Sequence, residues 1–229
     1  MVEPSFADAA AHLLWGAACA GCGRAAATLC PACRAAISPV PFLAWPSPVP
    51  EQLLDAPPYA AGRYEGPLRD VIVEFKEHGR FTVASALSPL LAASIREAAS
   101  AHARLTLVPI PSTRRSVRQR GFDAVGSLAA GAARELRRDR QDVRVRRALR
   151  HARVVRDQAG LDAVDRAANL RGALAARHQR LEGAVILVDD ILTTGSTMAE
   201  AVRALGAQGH RVHAIAVVAA TPRNHPFET

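Results

Sequence analysis

Lysine, aromatic residues and long apolar runs are all scarce in this sequence. Lys76 is the only lysine, and aromatic residues make up 4% of the 229 residues. No segment approaches the roughly 20 consecutive apolar residues that span a bilayer, so we expect no membrane insertion. The N-terminal residues lack the basic start of a secretory signal, and we therefore expect a cytoplasmic protein. With 49% hydrophobic residues, the core must be built mostly from alanine, valine and leucine.

Acidic residues are outnumbered, with 21 against 29 basic residues and a net charge of +8. This balance suits a polyanionic partner, either a polyphosphate substrate or a nucleic acid. Because almost every basic residue is arginine in an alanine-rich chain, compositional bias weakens that argument. Residues 134–156 hold ten arginines against three acids and no Phe, Tyr or Trp. This segment predicts a basic patch rather than a base-stacking surface.

Only four cysteines occur, and all lie between positions 19 and 33. They form two Cys-x-x-Cys pairs, Cys19 with Cys22 and Cys30 with Cys33. Two such pairs can complete a tetrahedral shell around one ion, which predicts a structural zinc site without an open position. An iron–sulfur cluster on the same cysteines is an alternative. Two disulfides fit a cytosolic chain poorly, and a redox pair does not explain the second motif.

The most informative stretch runs from Val185 to Thr197. Four apolar residues lead into Asp189 and Asp190, a short hydroxyl-rich loop follows, and apolar residues then recur at helical spacing. This pattern predicts a buried parallel strand, a tight loop and a helix. The adjacent carboxylates alternate faces, so they can hold two vicinal hydroxyls, or one can face a metal and the other a sugar.

The loop after the strand has the features of a phosphate site. Gly195 permits a turn that a β-carbon would obstruct, and the amides that open the next helix favour an anion. When the site is empty, Ser196 or Thr197 can serve as the N-cap of that helix. No lysine follows Gly195, so the loop is not a Walker A motif, and no dinucleotide-binding glycine fingerprint is present.

These thirteen residues resemble the phosphoribosyl-pyrophosphate (PRPP) motif of type I phosphoribosyltransferases. The resemblance implies a parallel-sheet α/β fold in which Asp189 and Asp190 hold the ribose hydroxyls. It also implies that a five-residue loop holds the 5′-phosphate: Thr193, Thr194, Gly195, Ser196 and Thr197. Mg²⁺ is expected to accompany PRPP.

Three units are predicted along the chain. Residues 1–37 form a helix and a small zinc-ribbon-like module, residues 38–58 contain seven prolines and read as a stiff linker, and residues 59–229 form the phosphoribosyltransferase-like domain. Within the last unit, apolar spacing predicts helices over 68–75 and roughly 82–99. Strands are predicted at 105–110, 143–145 and 212–219.

Arginines cluster after the strand at 105–110. Arg114, Arg115, Arg118 and Arg120 follow Ser112 without an acid between them, which predicts a loop that clamps a polyanion. Residues 64–69, Phe75-Lys76, 79–80, 108–111 and 118–122 resemble the ComF family. The chain departs from that family at Asp123-Ala124, where the family has Asn-Gln.

The ComF resemblance implies further ligand contacts and a biological role. Lys76, Ser112, Arg118 and Gln158 become candidate ligand-binding residues, with Gln158 in a closing flap; a solvated position at the C-terminal end of a helix is the alternative for Lys76. The implied role is DNA uptake during natural transformation, with PRPP or another phosphoribosyl ligand, single-stranded DNA and DNA-uptake proteins as partners. Two hypotheses remain open: ligand binding without catalysis, or a Mg²⁺-dependent transferase. In the second, Arg114 and Arg115 would stabilise the pyrophosphate leaving group, and the acceptor would be nucleobase-like or an amine.

Overall fold

The computed structural model describes residues 18–99, 101–153 and 170–222. Its core is a mainly parallel sheet of six strands in the order β1-β2-β8-β7-β3-β4, in which only β1 runs antiparallel to its neighbour. A separate antiparallel ribbon pairs β5 with β6. The strands are β1 (Phe42–Leu43), β2 (Pro58–Arg63), β3 (Arg104–Pro109), β4 (Asp142–Val145), β5 (Leu149–His151), β6 (Leu174–Ala176), β7 (Ala184–Leu192) and β8 (Val212–Ala220). The predicted α/β class is confirmed.

Helices cover both faces of this sheet. They are α1 (Pro31–Ala36), α2 (Gly66–Lys76), α3 (Ala84–Ala98), α4 (Arg114–Arg120), α5 (Ala124–Arg138) and α6 (Ser196–Gly206), with short 3₁₀ turns at Glu51–Leu53 and Phe81–Val83. The helix predicted over 68–75 is confirmed as α2, which buries the four apolar residues of the predicted spacing, Leu68, Val71, Ile72 and Phe75. The predicted helix over 82–99 corresponds to α3 with the preceding 3₁₀ turn.

Alternation along β7 divides the core into two clusters. Ile186 and Val188 pack with α3 and α5 on one face, whereas Val185 and Leu187 pack with α6 on the other. Successive side chains of a strand point to opposite faces. The continuous apolar run of β7 is therefore explained by burial on both sides, as expected for a central parallel strand.

The proline-rich segment 38–58 is more than a linker. Phe42 and Trp45 pack against the core, Leu53 is itself fully buried, and β1 joins the edge of the sheet. The interpretation of this segment as lying outside the core is therefore wrong for these residues. The prolines fix an extended backbone, while the apolar residues between them cover α6. The boundaries at 38 and 58 stay a prediction.

Two further differences concern local structure. β2 was not predicted, because its sequence Pro-Tyr-Ala-Ala-Gly-Arg carries little strand propensity and its pairing with β8 decides its conformation. The predicted arginine loop is instead helix α4, capped by Thr113 and ended by Gly121 in the left-handed region. Arginine is a good helix former, so a capped run of seven residues folds into two turns. The predicted N-terminal helix and Gln158 lie outside the described residues.

Candidate functional site

The two carboxylates at the end of β7 lie on opposite faces of the sheet. Asp189 continues the face of Val185 and Leu187, where α6 packs, and Asp190 continues the face of Ile186 and Val188. The pair therefore serves two different environments. Asp189 lines a cavity, whereas Asp190 is buried and meets a side chain from α2.

Asp190 is held by the only lysine of the chain. Lys76 Nζ lies 3.2 Å from Asp190 Oδ1, and the carboxylate side chain is 4% exposed. Burial alone would lower the pKa of Lys76, but the charges of Asp190 and Asp189 and the hydrogen bond outweigh it, so the pKa is raised. A buried carboxylate without this partner would be strongly unfavourable. Lys76 is thus not a freely solvated end of α2.

Asp189 opens onto a cavity of about 300 Å³ at the carboxyl end of β7. Its walls are Leu170, the last residues of β7, the loop after it and the first turn of α6. Burial, and then the neighbouring Asp190 charge, raise the pKa of Asp189 well above its ordinary value of 3.8. The structure thus brings Asp189 together with all five predicted loop residues, Thr193 to Thr197.

The loop turns at Gly195, which has φ of +76° and precedes the first residue of α6. The prediction that Ser196 or Thr197 caps this helix is wrong: Gly195 occupies the N-cap position, and no side chain caps the helix. The Thr194 and Ser196 hydroxyls instead lie 3.0 Å apart, within hydrogen-bond distance of each other. The first amides of α6 therefore border the cavity without a side-chain acceptor, which suits an anion.

The proline-rich segment forms the outer support of this loop. A β-carbon placed on Gly195 would lie 2.9 Å from Pro46 Cγ and 3.0 Å from Leu53 Cδ1. The turn requires glycine both for its positive φ and for this close approach. Only the tertiary structure shows this contact, since Leu53 and Gly195 are far apart in the sequence.

Helix α4 follows β3 at the same edge of the sheet. Arg114, Arg115 and Arg118 are exposed, and none of them forms a salt bridge with an acid in the part of the chain that the structure describes. Ser112 is differently placed: its hydroxyl donates to Asp123 Oδ1 at 2.9 Å. The predicted clamp therefore presents free guanidinium groups on helix α4, whereas Ser112 is hydrogen-bonded to the N-cap residue of α5.

Asp123 has a structural role that the sequence reasoning left unassigned. Its Oδ1 accepts the Gly126 amide at 3.2 Å, which caps α5, and its Oδ2 pairs with Arg147 at 3.2 Å. The signal was available, because an aspartate before an amphipathic helix is a favoured N-cap. This residue joins the α4–α5 turn to the segment after β4.

Much of the predicted basic patch at 134–156 is internally paired. Arg138 pairs with Glu135, and Arg144 with Glu182. Arg137 donates to the Val143 carbonyl through Nε and Nη2 at 3.0 and 2.8 Å. Because these arginines already have partners within the protein, they are less available to bind a ligand.

Glu200 is a buried acid that the sequence reasoning missed. It lies in α6 with Arg203 Nε 2.7 Å from its Oε2, and its Oε1 accepts the Leu174 amide at 3.1 Å. Arg203 also donates to the Leu174 carbonyl at 3.2 Å. The pair anchors β6, a few residues after Leu170 in the cavity wall. The sequence contained one signal for this buried acid: Glu200 lies between Met198 and Ala201, two residues on the buried side of the predicted helix.

The four cysteines form one cluster. Their Sγ atoms all lie within 4.8 Å of one another, and Cys22 Sγ lies 3.7 Å from Cys30 Sγ. A tetrahedral zinc site with Zn–S bonds of about 2.3 Å has S–S edges of about 3.8 Å, so the donor set and spacing fit zinc. The Arg24 hydrogen bond lowers the pKa of Cys22 to about 6, whereas burial raises the pKa of Cys33.

The cysteine module rests on the main domain. A β-carbon on Gly21 would lie 3.0 Å from Cys33 Sγ and 3.5 Å from Val71 Cγ2 of α2. Cys19, Cys30 and Cys33 belong to the same apolar cluster as α2 and α3. The module therefore continues the core on the face of the sheet opposite α6.

Comparison with known proteins agrees with this architecture. Residues 127–227 match the family described as "Phosphoribosyl transferase domain". Competence protein F of Haemophilus influenzae is 31% identical over 145 residues, 61% of this chain and 62% of that protein. The DNA utilization protein YhgH of an Escherichia coli strain is 31% identical over 203 residues, 81% of this chain and 82% of that protein.

In the described ranges, none of the helices combines the length and apolar character needed to cross a bilayer. The match to YhgH covers 81% of this chain, so the similarity is not confined to one motif. The chain belongs to the ComF family, with a phosphoribosyltransferase domain behind a small cysteine module.

Proposed function

We propose that this protein binds PRPP together with Mg²⁺ in the cavity after β7, and that it acts in DNA uptake. The single observation that carries the ligand assignment is that Asp189 and the Thr193–Thr197 loop line one cavity together. The relatives named Competence protein F and DNA utilization protein support the biological role.

The chemistry of the cavity matches the two parts of a phosphorylated ribose. The Asp189 carboxylate can accept hydrogen bonds from sugar hydroxyls, and the first amides of α6 can donate to the 5′-phosphate. The hydroxyls of Thr193, Thr194, Ser196 and Thr197 add further donors. Asp190 contributes by holding Lys76, which places a cation behind the acid pair.

The pyrophosphate end would be met by α4. A guanidinium group can donate two parallel hydrogen bonds to the oxygens of one phosphate. The guanidinium groups of Arg114, Arg115 and Arg118 have no acidic partners among the described residues. They follow β3, the strand that pairs directly with β7. Ser112 would act by holding the α4–α5 turn through Asp123 rather than by facing the ligand.

Mg²⁺ fits the donor set of the cavity. It prefers oxygen ligands and is commonly bound by one or two carboxylates together with substrate phosphates. Asp189 is the carboxylate that would hold it. A bound cation would counteract the burial and the Asp190 charge, which both raise the pKa of this group. When bound with PRPP, the ion would neutralise developing charge on pyrophosphate.

Zinc is the metal that we assign to the cysteine module. Cys19, Cys22, Cys30 and Cys33 supply four sulfur donors and no open position, which is typical of a structural site. The burial of three of these cysteines against α2 supports a folding role. An iron–sulfur cluster is distinguished by visible absorption and iron content.

Calorimetric titration with PRPP and Mg²⁺ tests the proposal. We expect saturable binding to the wild-type protein and loss of at least tenfold in affinity in Asp189→Asn, which removes a charged acceptor. Asp70→Asn is the matched control, because Asp70 is an exposed acid that pairs only with Arg69 among the described contacts. No binding to folded wild-type protein would refute the ligand assignment.

Catalysis is the second candidate, favoured by the free guanidinium groups of α4, which follows the strand paired with β7. Pyrophosphate release from PRPP, screened against nucleobase and amine acceptors, measures it directly. The biological role is tested separately by restoring transformation in Haemophilus influenzae that lacks Competence protein F. Restoration by wild type but not by Asp189→Asn would connect ligand binding to DNA uptake.

A further inference from the structure

Phe81 is an aromatic side chain that the fold supports but does not cover. It opens the 3₁₀ turn between α2 and α3, and 60% of its surface is exposed. Single exposed apolar residues are common on protein surfaces and by themselves indicate nothing. Phe81 differs in two respects, the packing beneath it and the charge beside it.

Three phenylalanine rings form a continuous stack from the core to the surface. The fully buried Phe75 ring lies 5.2 Å from Phe122 between centroids, and the Phe122 ring lies 5.7 Å from Phe81 at 78°. Offset and edge-to-face contacts of this kind are favourable. Phe81 is therefore held in place by an edge contact while most of its surface meets solvent.

The segment that carries Phe81 contacts the end of the arginine helix. A β-carbon on Gly79 would lie 3.5 Å from the carbonyl oxygen of Arg120, the last residue of α4. Phe122 follows two residues later and makes the ring contact with Phe81. The exposed ring and α4 thus share one stretch of surface.

The charge of this surface is positive and unpaired. Arg114, Arg115 and Arg118 are exposed without acidic partners in the described residues, in contrast to the paired arginines near Glu135 and Glu182. On the Phe81 side, Arg80 is paired with Glu74, and Glu77 is the remaining acid of that turn. The surface keeps a clear cationic excess.

An exposed, supported aromatic ring beside free guanidinium groups fits one class of macromolecule. Single-stranded nucleic acid offers unstacked bases to the ring and phosphates to the arginines. A duplex offers the same phosphates but keeps its base faces stacked. We propose that Phe81 and helix α4 form a binding surface for single-stranded nucleic acid, with a base stacked on Phe81.

This binding surface rests on the proposed role in DNA uptake, but it depends on a different residue from those that PRPP binding requires. PRPP binding requires Asp189 and the Gly195 loop, whereas stacking requires Phe81. Because α4 serves both proposals, its arginines do not separate them. Substitutions at Phe81 do.

The test is fluorescence anisotropy with a labelled oligodeoxythymidylate and a duplex of equal length, using the full chain. Stacking contributes roughly 1–3 kcal/mol per base, so Phe81→Leu should weaken single-strand binding by roughly 5- to 150-fold. Phe81→Trp should retain affinity, and its added indole fluorescence should be quenched by the oligonucleotide. Val40→Ala, which alters another exposed apolar residue, should leave binding unchanged.

Each outcome decides the proposal. Weaker binding in Phe81→Leu, recovery in Phe81→Trp and unchanged PRPP titration in both would support it. Equal binding by wild type and Phe81→Leu, or equal affinity for single strand and duplex, would overturn it. If PRPP fails to bind the wild type while the Phe81 effect is present, the ligand assignment fails and the surface stands.

Discussion

Leu53 Cδ1 lies 3.0 Å from the point where a β-carbon on Gly195 would be placed. This contact joins the proline-rich segment to the loop at the carboxyl end of β7. Leu53 is fully buried, so this part of the proline-rich segment is packed into the protein core. The geometry of the Thr193–Thr197 loop thus depends on residues well outside the recognisable motif.

Gly195→Ala should destabilise the protein by about 1–3 kcal/mol, because the residue has a positive φ and the new methyl group would collide with Leu53 and Pro46. Urea unfolding monitored by circular dichroism measures the change. Gly206→Ala, at the last residue of α6, is the control, because nothing lies within 4 Å of its added methyl group. If both variants unfold at the same urea concentration, the close contact has no energetic weight.

Lys76→Met should lower the free energy of unfolding by about 3–5 kcal/mol, because it leaves the buried Asp190 carboxylate without its cation. The double variant with Asp190→Asn should recover much of this loss. A double-mutant cycle from urea unfolding gives the coupling between the two residues. Additive effects would show that the pair does not act as a unit.

The Lys76 contribution should also depend on pH. Its folded-state pKa is raised above the ordinary 10.5. The stability that the ion pair supplies is therefore fully present below pH 10.5 and is lost as pH rises through the folded pKa. The difference in stability between wild type and Lys76→Met, measured across alkaline pH, should narrow in that window.

Asp189→Asn should stabilise the ligand-free protein near neutral pH, by about 1 kcal/mol, because burial and Asp190 disfavour the ionised carboxylate. A raised folded pKa makes the native state hold the proton longer than the unfolded state. The wild type therefore loses stability as pH rises from 3.8 through the folded pKa. Thermal unfolding at several pH values should show the two proteins diverging over that window; parallel curves would contradict the assigned environment.

Cys30→Ser should abolish stoichiometric metal binding and lower the melting temperature, since three of the four clustered cysteines are buried against the main domain. Metal analysis of the purified protein should find one zinc per chain in the wild type. Arg24→Gln is the control, because it removes the hydrogen bond to Cys22 without removing a sulfur ligand. Full metal content in Cys30→Ser would exclude a four-cysteine site.

Glu200→Ala should cost about 2–3 kcal/mol, because it leaves the buried Leu174 amide without an acceptor and removes a charged hydrogen bond. Burial would raise the pKa of Glu200, but hydrogen bonds from Arg203 and Leu174 outweigh it, and the pKa is lowered from 4.5. Its contribution is therefore present above pH 4.5 and lost as pH falls through the folded pKa. Glu135→Ala, which breaks a surface Glu–Arg pair of equal spacing, should change stability far less.

The sequence predicted the elements whose signal is local and periodic. The apolar run before Asp189 identified the central strand, and the spacing of Leu68, Val71, Ile72 and Phe75 identified α2. Local chemistry also predicted the clustering of the cysteines, because a two-residue spacer brings both thiols of a pair to one side. The wrong predictions had both local and tertiary causes. The cap of α6 depended on the backbone angles at Gly195, whereas β2 and the burial of Leu53 depended on pairing and packing with distant residues.

By itself, the sequence determined the α/β class, the acid pair, the glycine turn and the four sulfur donors, because each follows from residue type and spacing along the chain. Only the tertiary structure decided three contacts: the ion pair of Asp190 with Lys76, the close approach of Leu53 to Gly195, and the ring contact of Phe81 with Phe122. These contacts join residues that are distant along the chain. They arise from how the helices and the proline-rich segment pack on the two faces of the sheet, and no periodicity in the chain encodes that packing.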